Sequence, residues 1–136
     1  MIRPIVKDIF FLNQKSETAT KEDMHIAMDL LDTLKANEKG CVGMAANMIG
    51  EKKRIIAVNM GIMNVIMFNP KIVKKSGKYE TEEGCLSLVG MRPCTRYQEI
   101  EVEYEDMQFK KQRQRYSGWI AQIIQHECDH LEGIII

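Results

Sequence analysis

The sequence predicts an α+β fold in which a central helix near the C-terminus packs on mixed, mostly antiparallel sheet elements. Three observations predict it. Residues 21–38 carry apolar side chains at helical spacing, residues 54–104 break into short β-rich runs, and residues 117–132 form a second helical pattern closed by Gly133. At 136 residues and 45% hydrophobic the chain can bury a sizeable core, and it contains no linker, repeat or low-complexity stretch, so one domain over 1–136 is expected.

The first helix is read from Met24, Ala27, Met28, Leu31 and Leu34, which recur at three and four and should face the core. Thr20 and Asp23 form a candidate capping box, and Gly40 a stop. His25 falls on the other face, beside acidic residues, as a solvated side chain. Next come three short strands, Arg54 to Asn59, Asn64 to Asn69 and Lys71 to Lys75, the first two joined by a link containing Gly61. In Glu99-Ile100-Glu101-Val102-Glu103-Tyr104 the alternation is strict, which sends Ile100, Val102 and Tyr104 to the core and the three glutamates to water. A turn at Glu105-Asp106 should lead into a return strand beginning at Met107-Gln108-Phe109. The basic run Lys110, Lys111, Arg113, Arg115 reads as a solubilising patch. The last helix, from near Ser117 to Glu132, should press Ile120, Ile123, Ile124 and Cys128 on the sheet, with Trp119 as an anchor and Ile134-Ile135-Ile136 as a short strand.

Nineteen basic and nineteen acidic residues cancel, which gives no global field to attract DNA or an anionic membrane. The N-terminal residues lack the basic-then-apolar layout of a signal peptide, and no run of apolar residues is long enough to span a bilayer. A cytoplasmic location is the default expectation. Cys41, Cys85, Cys94 and Cys128 are few, widely spaced and free of any CxxC pairing, which suits reduced thiols better than a disulfide framework.

The chemistry concentrates in His126-Glu127-Cys128-Asp129-His130. On a helix, positions four apart stack, so His126 and His130 can share one metal ion while Glu127 reaches its water. Only Leu131, Glu132, Gly133 and three isoleucines follow, so a third ligand is expected from upstream, where Glu83-Gly84-Cys85-Leu86-Ser87 offers a thiolate. One thiolate and two imidazoles leave a fourth tetrahedral position open for water, the arrangement of a hydrolytic centre.

The Glu83 to Ser87 segment and Gln125-His126-Glu127-Cys128-Asp129-His130-Leu131 resemble the second and third motifs of the peptide deformylase family, EGCLS and HExDH. Gly43-Met44-Ala45-Ala46-Asn47-Met48-Ile49-Gly50 resembles its first motif, GxGxAAxQxG, and Asn69-Pro70-Lys71-Ile72 its NPxI segment, all in the family's order from about Cys41 to the C-terminus. The resemblance implies a peptide-deformylase-like fold around the HExxH helix and removal of the formyl group from N-formylmethionyl peptides. It assigns Cys85, His126 and His130 to one divalent metal, iron(II) by family habit with zinc, nickel or cobalt as other occupants. It makes Glu127 the general acid/base and the Leu86 amide an oxyanion donor. Arg92 matches an arginine that braces the site, and Val42, Leu86 and Ile123 match the pocket for the methionine side chain, with backbone near Gly43 pairing to the peptide. Any ribosome contact should be local and transient. Two positions depart from the pattern: Cys41 replaces a glycine, and Met48 replaces the glutamine whose amide stabilises the oxyanion. A thioether cannot donate a hydrogen bond. Met48 therefore leaves open a hydrolase with weak or altered amide specificity, or a metal- or peptide-binding protein without turnover.

Overall fold

The structure, a computed structural model, describes residues 1–85 and 89–135. A short helix, α1 (Ile9–Leu12), starts at Asp8, whose carboxylate accepts the Phe10 amide at 3.0 Å. A 3-10 turn over Lys21–Asp23 then feeds α2 (Met24–Ala36). The Thr20 amide donates to the Asp23 carboxylate at 2.8 Å, one half of the expected capping box. The buried face of α2 is Ile26, Ala27, Leu30, Thr33 and Leu34, one step round from the expected stripe, and Met28 is 46% exposed. The shift has a local cause. Thr33 Oγ1 donates to the Asp29 carbonyl and accepts the Arg3 amide at 2.9 Å, so the N-terminal segment covers that side of the helix.

Five strands follow: β1 (Gly43–Ala45), β2 (Ile55–Asn59), β3 (Asn64–Gly84), β4 (Met91–Glu105) and β5 (Lys111–Ser117). They form one antiparallel sheet in the order β1-β2-β3-β4-β5, joined by a lone parallel bridge between Glu17 and Lys53. The expected strands from Asn64 to Lys75 are the first half of the single strand β3. Asn69 takes φ 53° at a register shift between Phe68 and Lys71, so the chain bends there and the ladder resumes past Pro70. Asn69 also holds the N-terminal segment, accepting the Ala19 amide at 2.8 Å and donating to its carbonyl at 3.0 Å.

Ile100, Val102 and Tyr104 on β4 are buried, as the alternation requires. The return strand starts later than expected, at Lys111. Asp106 gathers the amides of Gln108 and Lys110 on its carboxylate, and Phe109 at φ 58° turns back to lay its ring 4.3 Å from that of Phe68. Residues 107–109 are therefore a loop that plugs the core.

Helix α3 (Gly118–Leu131) lies against β4, β1 and β2, burying Ala121, Ile123, Ile124 and Leu131. It stops in a Schellman motif: Gly133, at φ 76°, donates to the His130 carbonyl and Ile134 to the Asp129 carbonyl. Ile134 is thus consumed by the cap, and neither it nor Ile135 lies in a strand; Ile136 lies outside the described residues.

Candidate active site

Two elements converge on one point. Helical spacing stacks His126 over His130 on α3, with their Nε2 atoms 3.0 Å apart, and Cys85 follows the last residue of β3. The thiol and the two imidazoles present donor atoms within 4.8 Å of one another. Two Nε2 lone pairs facing at 3.0 Å repel unless a proton or cation lies between them, and two ligands of a tetrahedral ion with bonds of about 2.0–2.1 Å sit about 3.3 Å apart. The donor set therefore fits a divalent metal. Burial would depress His126, yet its hydrogen bonds with Cys85 and Glu83 lift it to about 10, whereas burial and the neighbouring His126 charge press His130 down to about 3.

Behind His126 stands a buried polar network, only partly inside the quoted motifs, that the sequence reading left without a role. His126 Nδ1 donates to Glu83 Oε1 at 2.7 Å, which fixes the tautomer and turns Nε2 toward Cys85 and His130. Glu83 also accepts Nε and Nη2 of Arg96 and, at 2.8 Å, Nε2 of Gln122. Arg96 Nη1 reaches Asp129 at 2.7 Å, so one guanidinium ties the end of β3 to α3. Burial would raise the Glu83 carboxyl, but the bonds from His126, Arg96 and Gln122 hold it down to about 2. Gln125 completes the docking of α3 by pairing both backbone groups of Tyr97 on β4. Glu83 and Asp129 were legible as acidic positions flanking the ligands inside the two quoted motifs; Arg96 and Gln122 had no local signal.

A cavity of about 650 Å³ opens over this point. Val42, Gly43, Met48, Cys85, Ile123, His126 and Glu127 line it together with Gln122, Met91 and Trp119. Glu127 is fully buried with Oε1 lacking a hydrogen-bond partner, and burial pushes its carboxyl up to about 7 against the pull of His126. Gly43 is needed at its position: a Cβ there would stand 2.6 Å from Ile123 Cγ2 and 2.9 Å from Glu127 Oε2. Cys41 donates its thiol to the Gly43 carbonyl at 2.9 Å.

Several expected placements change. Arg92 does not line the cavity; it sits opposite Glu83 across the β3–β4 ladder with a buried, unpaired Nη1, and the arginine that braces Glu83 is Arg96, four residues on. Asn47 and Met48 lie in a 3-10 turn (Ala46–Ile49), where Asn47 Nδ2 donates to the His130 carbonyl at 2.9 Å and so cannot replace the missing glutamine. Trp119 is no anchor: it is 61% exposed at the cavity mouth, while Ala121 and Ile124 do the docking. Leu86, the expected oxyanion donor and pocket residue, lies outside the described residues.

Comparison with known proteins agrees with this geometry. The sequence profile of the polypeptide deformylase family matches residues 3–136. A peptide deformylase of Clostridium beijerinckii is 61% identical over 136 residues, covering 100% of both chains, and one of Dictyoglomus thermophilum is 34% identical over 98% of this chain and 84% of its own. Among solved structures, a peptide deformylase from Legionella pneumophila superposes with a TM-score of 0.89 at 29% identity, covering 99% of this chain and 83% of that one. The actinonin-bound class I type b peptide deformylase from Acinetobacter baumannii gives 0.88 at 29% identity, with 99% and 95% covered. With its whole length matched by relatives and its fold shared with them, the chain belongs to the polypeptide deformylase family.

Proposed function

We infer that the protein is a metal-dependent amide hydrolase that removes the formyl group from N-formylmethionyl peptides and releases formate. The observation that carries this reading is a buried Glu127 whose Oε1 lacks a hydrogen-bond partner, in one cavity with the Cys85–His126 edge of a thiol and two-imidazole cluster, in a chain of this family. Cys85, His126 and His130 would hold one divalent ion; iron(II) is the assignment by family, and zinc, nickel or cobalt suit the same donors. When bound, the ion supplies Lewis-acid polarisation of the formyl oxygen and activation of water.

The remaining work falls to this chain's own groups. Glu127 takes the proton of the attacking water, and a carboxyl lifted to about 7 by burial can both accept and return a proton near neutral pH. As the carbon–nitrogen bond breaks, Glu127 passes that proton to the leaving amine, giving formate and a free N-terminus. Glu83 and Arg96 keep His126 oriented through the cycle. Val42 and Ile123 offer apolar surface to the methionine side chain, and β1, the terminal strand of the sheet, offers its edge to the peptide backbone as an added strand. A nascent-chain substrate argues for action in the cytoplasm with at most a local, transient ribosome contact. No helix among the described residues is long and apolar enough to cross a membrane. Binding without turnover is not favoured, because a protein that only binds has no need for Glu127.

The test is formate release from formyl-Met-Ala after anaerobic loading with iron(II), alongside metal analysis of Cys85→Ala and His130→Ala. Metal-dependent release in the parent, with stoichiometric metal lost in both variants, is expected. Full metal content in either variant contradicts the ligand assignment.

A further inference from the structure

We propose that Ser16 and Asn47 hold one buried water against Nδ1 of His130 and through it position this imidazole as a metal ligand. The inference rests on the ligand reading of His130 and deepens it; the peptide plays no part. Among the described residues, five buried side-chain polar atoms lack a hydrogen-bond partner, and three of them are Ser16 Oγ, Asn47 Oδ1 and His130 Nδ1. These three residues meet at the last turn of α3. The Ser16 amide donates to the Leu131 carbonyl at 2.8 Å, and Asn47 Nδ2 donates to the His130 carbonyl at 2.9 Å. All three are buried, and none of them lines the cavity over Glu127, so a peptide bound there cannot supply what they lack.

The three atoms are chemically complementary. His130 turns Nε2 toward His126, 3.0 Å away, so as a neutral ligand through Nε2 it carries its proton on Nδ1 and presents a donor. Only the NH2 end of a carboxamide can face a carbonyl, which leaves Asn47 Oδ1 as an acceptor. The Ser16 hydroxyl serves as either. A single water accepts from Nδ1–H, donates to Asn47 Oδ1 and shares a third bond with Ser16, and about three bonds is the usual complement of a buried water. Left unmade, each bond would carry the full cost of desolvating its group, which is why buried polar groups are so consistently paired. The arrangement parallels His126, whose Nδ1 donates to Glu83 at 2.7 Å, except that the partner of His126 is a carboxylate and those of His130 are neutral. His130 is thereby fixed in tautomer and ring orientation without a second anion. Ser16 and Asn47 are positioning residues, reaching the ion only through His130.

The experiment uses cobalt(II) and zinc(II) as probes on the full chain, without peptide. Cobalt(II) affinity, read from visible absorption in competition with a chelator, should fall about 10-fold in Ser16→Ala and about 10-fold in Asn47→Ala. Because both changes remove the same water, the double variant should bind no more weakly than the weaker single variant. A loss of about 100-fold, the product of two independent effects, overturns the inference, as does unchanged affinity in both single variants. Nitrogen-15 NMR of the zinc form adds a signature that a purely structural role would not move: the His130 Nδ1 proton should show a cross-peak to a bound water in the parent and lose it in the double variant. A crystal structure of the zinc-loaded parent decides the geometry even if Asn47→Ala fails to fold. One water within hydrogen-bond distance of all three atoms is the expected result; Asn47 Oδ1 bonded directly to Nδ1, or no water between them, overturns the inference. Those results leave formate release untouched, whereas a parent that binds no cobalt overturns the ligand assignment and the inference with it.

Discussion

The α3 side of the cavity and the side built by the 3-10 turn after β1 treat polar groups in opposite ways. On the α3 side, His126 is held by Glu83, Glu83 by Arg96 and Gln122, and Arg96 by Asp129, all through hydrogen bonds of ordinary length. On the other side, Met48 is 1% exposed and lines the cavity with a thioether, while the nearby Asn47 amide is spent on the His130 carbonyl. The apparatus for positioning a ligand and moving a proton is thus tied down by redundant contacts, whereas stabilisation of the oxyanion has no side-chain donor at position 48. Proton transfer and charge stabilisation are separable demands, and this chain invests its buried polar groups in the first.

Removing the centre of the α3 network should have the largest effect on folding. Arg96→Ala leaves the Glu83 and Asp129 carboxylates without their guanidinium in a site where Arg96 is 5% exposed, so a loss of about 3–5 kcal/mol in denaturant unfolding is expected. Gly43→Ala presses a methyl group between Ile123 and Glu127, and displacement of the carboxyl by that contact should lower kcat about 10²-fold in a folded protein. Met48→Gln works the other wall. If position 48 lacks an oxyanion donor, restoring the amide should raise kcat by about 10-fold or more, and an unchanged rate would show that another donor already serves. Arg115→Ala is the weakest change: this arginine pairs with Glu101 at 3.5 Å but is 80% exposed, so stability should move by less than about 0.5 kcal/mol. Two arginines bound to glutamates would then differ several-fold in effect, through burial and through the number of carboxylate bonds each one makes.

What could be read from the sequence follows the range of the forces involved. The α3 boundaries, the burial of Ile100, Val102 and Tyr104 and the Gly133 stop come from local periodicity and capping, and all appear in the structure. The second half of β3 and the first half of β4 were not legible. Ser76 to Glu83 and Met91 to Gln98 show no apolar alternation in sequence, since the side chains they turn inward include Glu83 and Arg96, and they are strands because they pair with each other across a turn. Phe109 left the expected strand because its ring found Phe68, a contact between residues far apart in sequence. In the site, residue type and spacing identified Cys85, His126, Glu127 and His130 as candidates, and their proximity is a property of the fold. Arg96 received no role from the sequence because its partners sit on other elements, β3 and α3.

The central claim is that Glu127 moves the proton while other residues hold the metal. Its most direct measurement is formate release and metal content, made together on iron-loaded parent and Glu127→Gln enzymes. The account predicts one metal per chain in both and a fall in kcat of about 10²- to 10⁴-fold in the variant. A variant that keeps metal and turns over at the parent rate would contradict it.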